Sequence, residues 1–266
     1  MQEDNTRLID EALASEPTKN TFRLGWEFIT LNKQFTFIAI GIFTLLNLFG
    51  AIPVVSFVFA VFAAVFGVVV QMHAGRTFYG TDNIETYVDE IKKSNIKEVL
   101  SRYGQTALGV YLGWLSFLVM IFLFLGFFAA TTGMVKEGMS ENDVIMALAG
   151  LGVPLLVLAL VFSYVQPLVH SNIVLANSFQ EGFKSVFTVF TKDVWSSALQ
   201  KSYFSYVSKV GLLGIALLFV VVLAVGLLIT VPVIGVFASI FIFVIMYVFM
   251  VFMSITSMMA RRIVEE

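Results

Sequence analysis

Long apolar runs separated by polar stretches dominate this chain, and an apolar helix of about twenty residues spans a bilayer. The pattern predicts six spans, over about 35–49, 53–72, 108–130, 144–169, 206–229 and 232–259. The clearest lies within 51–76, where a proline opens the run and a polar, basic end closes it. Its opening, Ile52-Pro53-Val54-Val55, is echoed by Val153-Pro154-Leu155-Leu156 and by Val231-Pro232-Val233-Ile234. Each proline is expected at a first helical position, where its missing N–H costs no hydrogen bond. The predicted fold class is all-α: a polytopic membrane protein of three Pro-led hairpins, an irregular threefold repeat because the prolines are unequally spaced.

The polar stretches carry a second pattern. Residues 1–20 read as a polar tail, with Leu8, Ile9, Ala12 and Leu13 forming at most one amphipathic turn that Pro17 stops. Residues 21–266 read as one integral membrane domain. Within it, 21–34 places Phe22, Trp26, Ile29 and Leu31 among charges and predicts a helix lying at the membrane surface. A second surface stretch covers 83–103. Asp82 or Asn83 can cap a helix carrying Ile84, Tyr87, Val88 and Ile91, and Ser94 can cap another with Ile96, Val99, Leu100 and Tyr103 on one face. In 179–194, Phe179, Phe183, Val186, Phe187, Phe190 and Val194 fall at helical spacing beside Lys184 and Lys192. That face fits either an anionic leaflet or a docked protein partner.

Composition supports the membrane reading. The chain is 59% hydrophobic and 13% charged, more apolar than a soluble domain of this length can hide. A net charge of −2 gives no global field for nucleic acid. With no cysteine, thiolate metal sites, Cys nucleophiles and disulfides are excluded. The polar, acidic first residues are unlike a cleavable signal peptide, so the first span is expected to act as the targeting signal. Every Lys and Arg except Lys136 falls on one face of a six-span layout. The positive-inside rule then places both termini and the surface helices on the cytoplasmic side.

Candidate chemistry is sparse. No Asp, Glu, Lys or Arg sits mid-span, which argues against ion-coupled transporters, pumps and voltage sensors. His73 and His170 both end Pro-led spans and could ligate a haem or a metal, or simply be polar groups at the headgroup boundary. Asn47, Gln71, Ser163, Tyr164 and Gln166 are the polar groups in or near the spans. Their ordinary use is interhelical hydrogen bonding, and the sharper one is a cavity lined by Asn47, Ser163, Tyr164 and Gln166. Pro167 frees a carbonyl near Ser163 that needs a partner. Gly109-Val110-Tyr111-Leu112-Gly113 is a small-xxx-small pattern for close helix packing, which the chain can satisfy internally. No phosphate loop, nucleophile elbow, HExxH or dinucleotide fingerprint occurs, so neither an enzyme nor a bound cofactor is expected.

The Pro-led hairpins, and the stretch Asn177-Ser178-Phe179-Gln180-Glu181-Gly182-Phe183-Lys184, resemble YciC-type bacterial inner-membrane proteins. The membrane domain attached to some glycerophosphodiester phosphodiesterases is similar. The resemblance implies six spans with amphipathic helices before the hairpins. It carries over no catalytic residue, and these 266 residues hold no phosphodiesterase domain. The expected function is non-enzymatic: binding or organising membrane partners or lipids at the cytoplasmic leaflet. Passage of an apolar or lipid-like solute is the first alternative, and a haem or metal protein the second.

Overall fold

A computed structural model describes residues 7–133, 138–140, 142–143, 152–229 and 232–265. The protein is an all-α polytopic membrane protein with six helices long and apolar enough to cross a bilayer. In chain order these are α3 (Lys33–Gly50), α4 (Ser56–Tyr79), α6 (Ile96–Thr131), α7 (Gly152–Leu175), α10 (Lys201–Ile229) and α11 (Pro232–Glu265). Among the described residues, shorter helices brace them: α1 (Leu8–Ala14), α2 (Pro17–Leu31), α5 (Ile84–Lys93), α8 (Phe179–Val186) and α9 (Lys192–Ala198). Lys136, and the start of the fourth span from 144 to 151, lie outside the described residues.

Local chemistry sets most helix starts. Asn83 Oδ1 accepts from the Thr86 N–H at 2.9 Å, Asn95 Oδ1 from the Lys97 N–H at 2.9 Å, and Ser178 Oγ from the Glu181 N–H at 3.2 Å. Glu181 also accepts the N–H of Asn177 at 2.8 Å, one residue before the cap, and so ties the preceding loop to α8. Pro17 does not merely stop a turn; it stands at the first position of α2. Pro232 likewise begins α11.

Pro53 departs from that pattern. It occupies the second position of a turn closed by Val55 N–H to Ile52 O at 3.1 Å, a site its fixed φ suits, and α4 starts only at Ser56. The surface stretch 83–103 is also divided differently. Its second half is the beginning of the 36-residue α6, about 54 Å long, which projects well past a hydrocarbon core of about 30 Å. Asn95, not Ser94, caps it.

The packing is lopsided along the membrane normal. The returning spans α4, α7 and α11 pack on one another, and α3 and α10 lie beside α4 and α11 as tight hairpins. The second hairpin is open instead: α6 packs along α4 and α8 and touches α7 only slightly. At the charged end the core is closed by Phe28, Met72, Phe78, Ile173, Tyr247, Ile255 and Met258. Beyond that end, α10 carries exposed Leu212, Leu213, Ile215, Leu217, Leu218 and Phe219 in near succession. Apolar side chains round most of a helix are stable where lipid replaces water.

The polar N-terminal stretch is no free tail. Leu8, Ile9 and Ala12 are buried against α2 and α11, and Asp10 pairs with Arg262 at 2.6 Å. Both termini therefore meet at the charged end, as an even number of spans requires.

Arg76, near the end of α4, ties this end together. Its guanidinium donates to Val174 O at 2.6 Å, Ala176 O at 2.5 Å and Asn177 Oδ1 at 3.0 Å, and lies 5.2 Å from the Tyr103 ring centroid. It thus caps the C-terminus of α7 and stacks on α6 at once. Arg76→Ala should cost about 2–4 kcal/mol, because it leaves half-buried carbonyls without donors. Arg76→Lys should recover less than half, since one ammonium cannot replace a planar fork. Thermal unfolding in detergent checks this against the exposed Lys97→Ala; an unchanged midpoint for Arg76→Ala would contradict the clamp.

Candidate functional site

The charged end is where the candidate residues gather, and their positions follow from two crossings. The first is α8 against α6. A Cβ at Gly109 would lie 2.1 Å from Phe179 O, one at Gly113 2.7 Å from Phe183 O, and one at Gly182 2.4 Å from Thr106 O. The small-xxx-small pattern therefore seats the chain's own α8, with Gly182 as its reciprocal partner. This contact draws α6 away from α7 and opens the second hairpin.

The expected single helix over 179–194 is broken into three pieces. α8 ends at Val186, a 3₁₀ turn covers Phe187–Phe190, and α9 begins at Lys192. Thr188 Oγ1 donates to Ser185 O at 2.6 Å and Thr191 Oγ1 to Thr188 O at 2.7 Å. Such hydroxyl bonds offer the backbone an alternative to helix. The Trp195 indole then donates to Val189 O at 2.7 Å and pins the turn.

The buried side of this segment is Gly182, Ser185, Val186, Val189 and Val194 rather than the phenylalanines. Phe187 and Phe190 lie 6.4 and 5.8 Å from the Phe117 ring, and Phe183 lies 5.4 Å from Phe187. Phe179, Phe183 and Phe187 are half-buried, whereas Phe190 is 56% exposed beside the exposed Lys184 and Lys192. Part of the expected partner face is thus internal packing on α6.

The second crossing is α5 and its turn over α2, α3 and α4. Asn32 Nδ2 donates to Ile91 O at 2.9 Å and Ser94 O at 3.1 Å, while its Oδ1 caps α3 through the Phe35 N–H at 2.9 Å. Tyr87 is buried and donates to Leu24 O at 3.0 Å; burial pushes its hydroxyl far up, so it stays a donor. His73 Nε2 lies 2.8 Å from Ser94 Oγ. Since Ser94 Oγ donates to Glu90 O at 2.9 Å, the histidine is the donor of that pair, and its Nδ1 accepts from Thr77 at 3.4 Å. The ring lies between Phe28 and Phe35, at 5.6 and 5.3 Å. His73 is thus a pin beneath the α5–α6 turn.

His170 is buried on α7 and faces Ser254 Oγ at 3.4 Å. The two histidines have separate hydroxyl partners, and among the described residues no group of three His, Cys, Asp or Glu could hold a metal.

The proposed cavity residues are not brought together. Asn47 donates to its own helix at Phe43 O, 2.7 Å away, on α3, which touches α7 at most slightly. On α7, Ser163 is exposed and Gln166 half-buried, and the Tyr164 hydroxyl donates to Ala198 O at 2.5 Å, docking α9. α7 runs on through Pro167, and the Tyr164 carbonyl, one residue after the carbonyl that the proline frees, accepts from the Tyr203 hydroxyl at 2.7 Å.

Sequence reasoning passed over Arg76, Asn32, Asn95 and Gly182. The last had a signal, since it is the one glycine within the Ser178–Phe183 capping stretch. No protein-family model matches the chain, and no curated protein or solved structure matches it significantly. The fold and the site together define a multi-pass all-α membrane protein braced at one end.

Gly182→Ala and Gly109→Ala should each destabilise by about 2 kcal/mol or more, because the new Cβ meets backbone. Gly104→Ala, with open space, should be neutral or stabilising by up to about 1 kcal/mol. Hydrogen exchange over 179–198 should rise in the first two and not in the third; equal behaviour of all three would contradict the crossing.

Proposed function

We propose that this is a non-enzymatic integral protein of a bacterial cytoplasmic membrane that binds or organises lipids or protein partners at the cytoplasmic leaflet. Both termini lie in the cytoplasm in this reading, and the layout shared with YciC-type proteins agrees with it. The observation that carries the reading is the asymmetry of the bundle. The shorter helices form a fixed collar at the charged end, over a closed core, while no mid-span charge is present to couple transport. The collar's outward side carries Trp26, 57% exposed, with Phe190, Lys92, Lys93, Lys184 and Lys192. Aromatic and basic groups held rigidly at one level suit a headgroup layer or a docked protein.

Passage of an apolar or lipid-like solute is a second reading, favoured by the slight contact between α6 and α7. The scatter of Asn47 and the α7 polar residues weighs against a polar-lined path. A haem or metal centre finds no support in the separate engagement of His73 and His170.

The test is purification of the full chain in mild detergent, followed by mass spectrometry of everything retained. A stoichiometric protein partner or a selected lipid class is the expected result. A chain that retains neither, from several detergents, would overturn the reading.

A further inference from the structure

The turn from α5 into α6 folds over the start of α3 and leaves a cavity of about 250 Å³ between them. Gln34, Phe35 and Ile38 line it from α3, Lys92 and Lys93 from the end of α5, and Asn95 from the turn. We propose that this cavity binds a phosphate ester, presented by an anionic phospholipid of the adjoining leaflet. The proposal rests on the leaflet-binding function above and gives it a site and a ligand chemistry.

Charge comes first. The wall holds two lysines and no Asp or Glu, and neither lysine is ion-paired among the described residues. Unpaired cations at a concave surface focus a field that an anion can neutralise. Gln34 and Asn95 bring amide groups to the same wall, suited to phosphate oxygens.

The backbone adds to this. Two helices start at the cavity, α3 at Lys33 and the 36-residue α6 at Ile96. First-turn N–H groups have no intrahelical acceptor, and Asn32 and Asn95 each take up only one, from Phe35 and Lys97. The remaining donors and both helix dipoles favour an anion there.

The wall is also held before any ligand arrives. Asn32 bridges the end of α5 to the start of α3, and His73, 7% exposed, grips Ser94 from behind. A backbone already fixed lowers the ordering cost of binding to that of the side chains alone.

Position selects the source of the phosphate. Phe35 and Ile38 belong to the first turns of a span, and Ile38 is 43% exposed. A headgroup seated against the lysines therefore has apolar helix beside it for its acyl chains. The volume, several times a water's share of about 30 Å³, admits a phosphate with glycerol carbons attached.

The experiment uses the full chain, delipidated in detergent, titrated with phosphatidylglycerol or phosphatidylcholine and read by native mass spectrometry. Parallel titrations use inorganic phosphate and glycerol 3-phosphate. The wild type should prefer phosphatidylglycerol by at least about tenfold, roughly 1.4 kcal/mol. Lys92→Glu/Lys93→Glu should remove that preference, and so should Gln34→Glu, which puts a carboxylate in the wall without touching the lysines. Lys19→Glu/Lys201→Glu, two exposed lysines that do not line the cavity, should retain it.

Saturable phosphate or glycerol 3-phosphate binding that is lost in both cavity variants would keep the site but overturn its lipid source. Phosphatidylglycerol binding that is unchanged in Gln34→Glu and in the lysine pair, or lost equally in Lys19→Glu/Lys201→Glu, would overturn the proposal. In the first of those cases lipid is still retained, so the organising role stands without the cavity. A chain that binds neither lipids nor a partner loses both.

Discussion

Arg76 spends one guanidinium on the carbonyls of Val174 and Ala176, on Asn177, and on the Tyr103 face. The end of α7 must present those carbonyls to something, because a helix leaves its last C=O groups unpaired and the membrane offers no water to take them. A charge from α4 meets that need only if α4, α6 and α7 share one level at the polar boundary. The close approach of Gly75 to Val174 then follows, as does the placing of the loop that leads to α8. Arg261 and Arg262 repeat the device on the last helix, through Asn172 and Asp10.

With the charged end locked in this way, the far halves of the spans need no tight packing. Lipid is as good a neighbour for Leu and Phe as another helix, so exposed apolar helices carry little penalty there. The outcome is a molecule braced at one end, with exposed apolar side chains along the spans beyond it. The proposed recognition would use the braced end, where packed side chains and charges meet at the polar boundary. The basic cavity beside α3, the exposed Phe190 and the surface lysines are all features of that end.

The spans were legible because twenty apolar residues in a row have few other meanings. Their boundaries were less so. Pro53 and Pro232 sit in the same local sequence, yet one falls in a turn and the other starts a helix; a proline's fixed φ suits both. Ser94 and Asn95 are adjacent and both are capping residues, so their order depends on where His73 needs a hydroxyl. Leu8, Ile9 and Ala12 form too short a pattern to reveal docking, and the partner of Asp10 lies at the other end of the chain. The 179–194 stripe read as one helix because its periodicity is strong, whereas Thr188 and Thr191 divert the backbone. Of the candidate site, the histidines and polar span residues were visible, but their partners Ser94, Ser254 and Ala198 come from distant segments. The cavity joins residues about sixty positions apart, and no spacing rule marks it.

Everything assigned to the cytoplasmic leaflet depends on which way the charged end points. The chain has no cysteine, so single ones can be placed at will. Ser140→Cys and Gln180→Cys put exposed thiols at opposite ends. A membrane-impermeant maleimide should label Ser140→Cys in intact spheroplasts, and Gln180→Cys only after the membrane is opened. The reverse pattern would contradict a cytoplasmic charged end, and with it the proposed role.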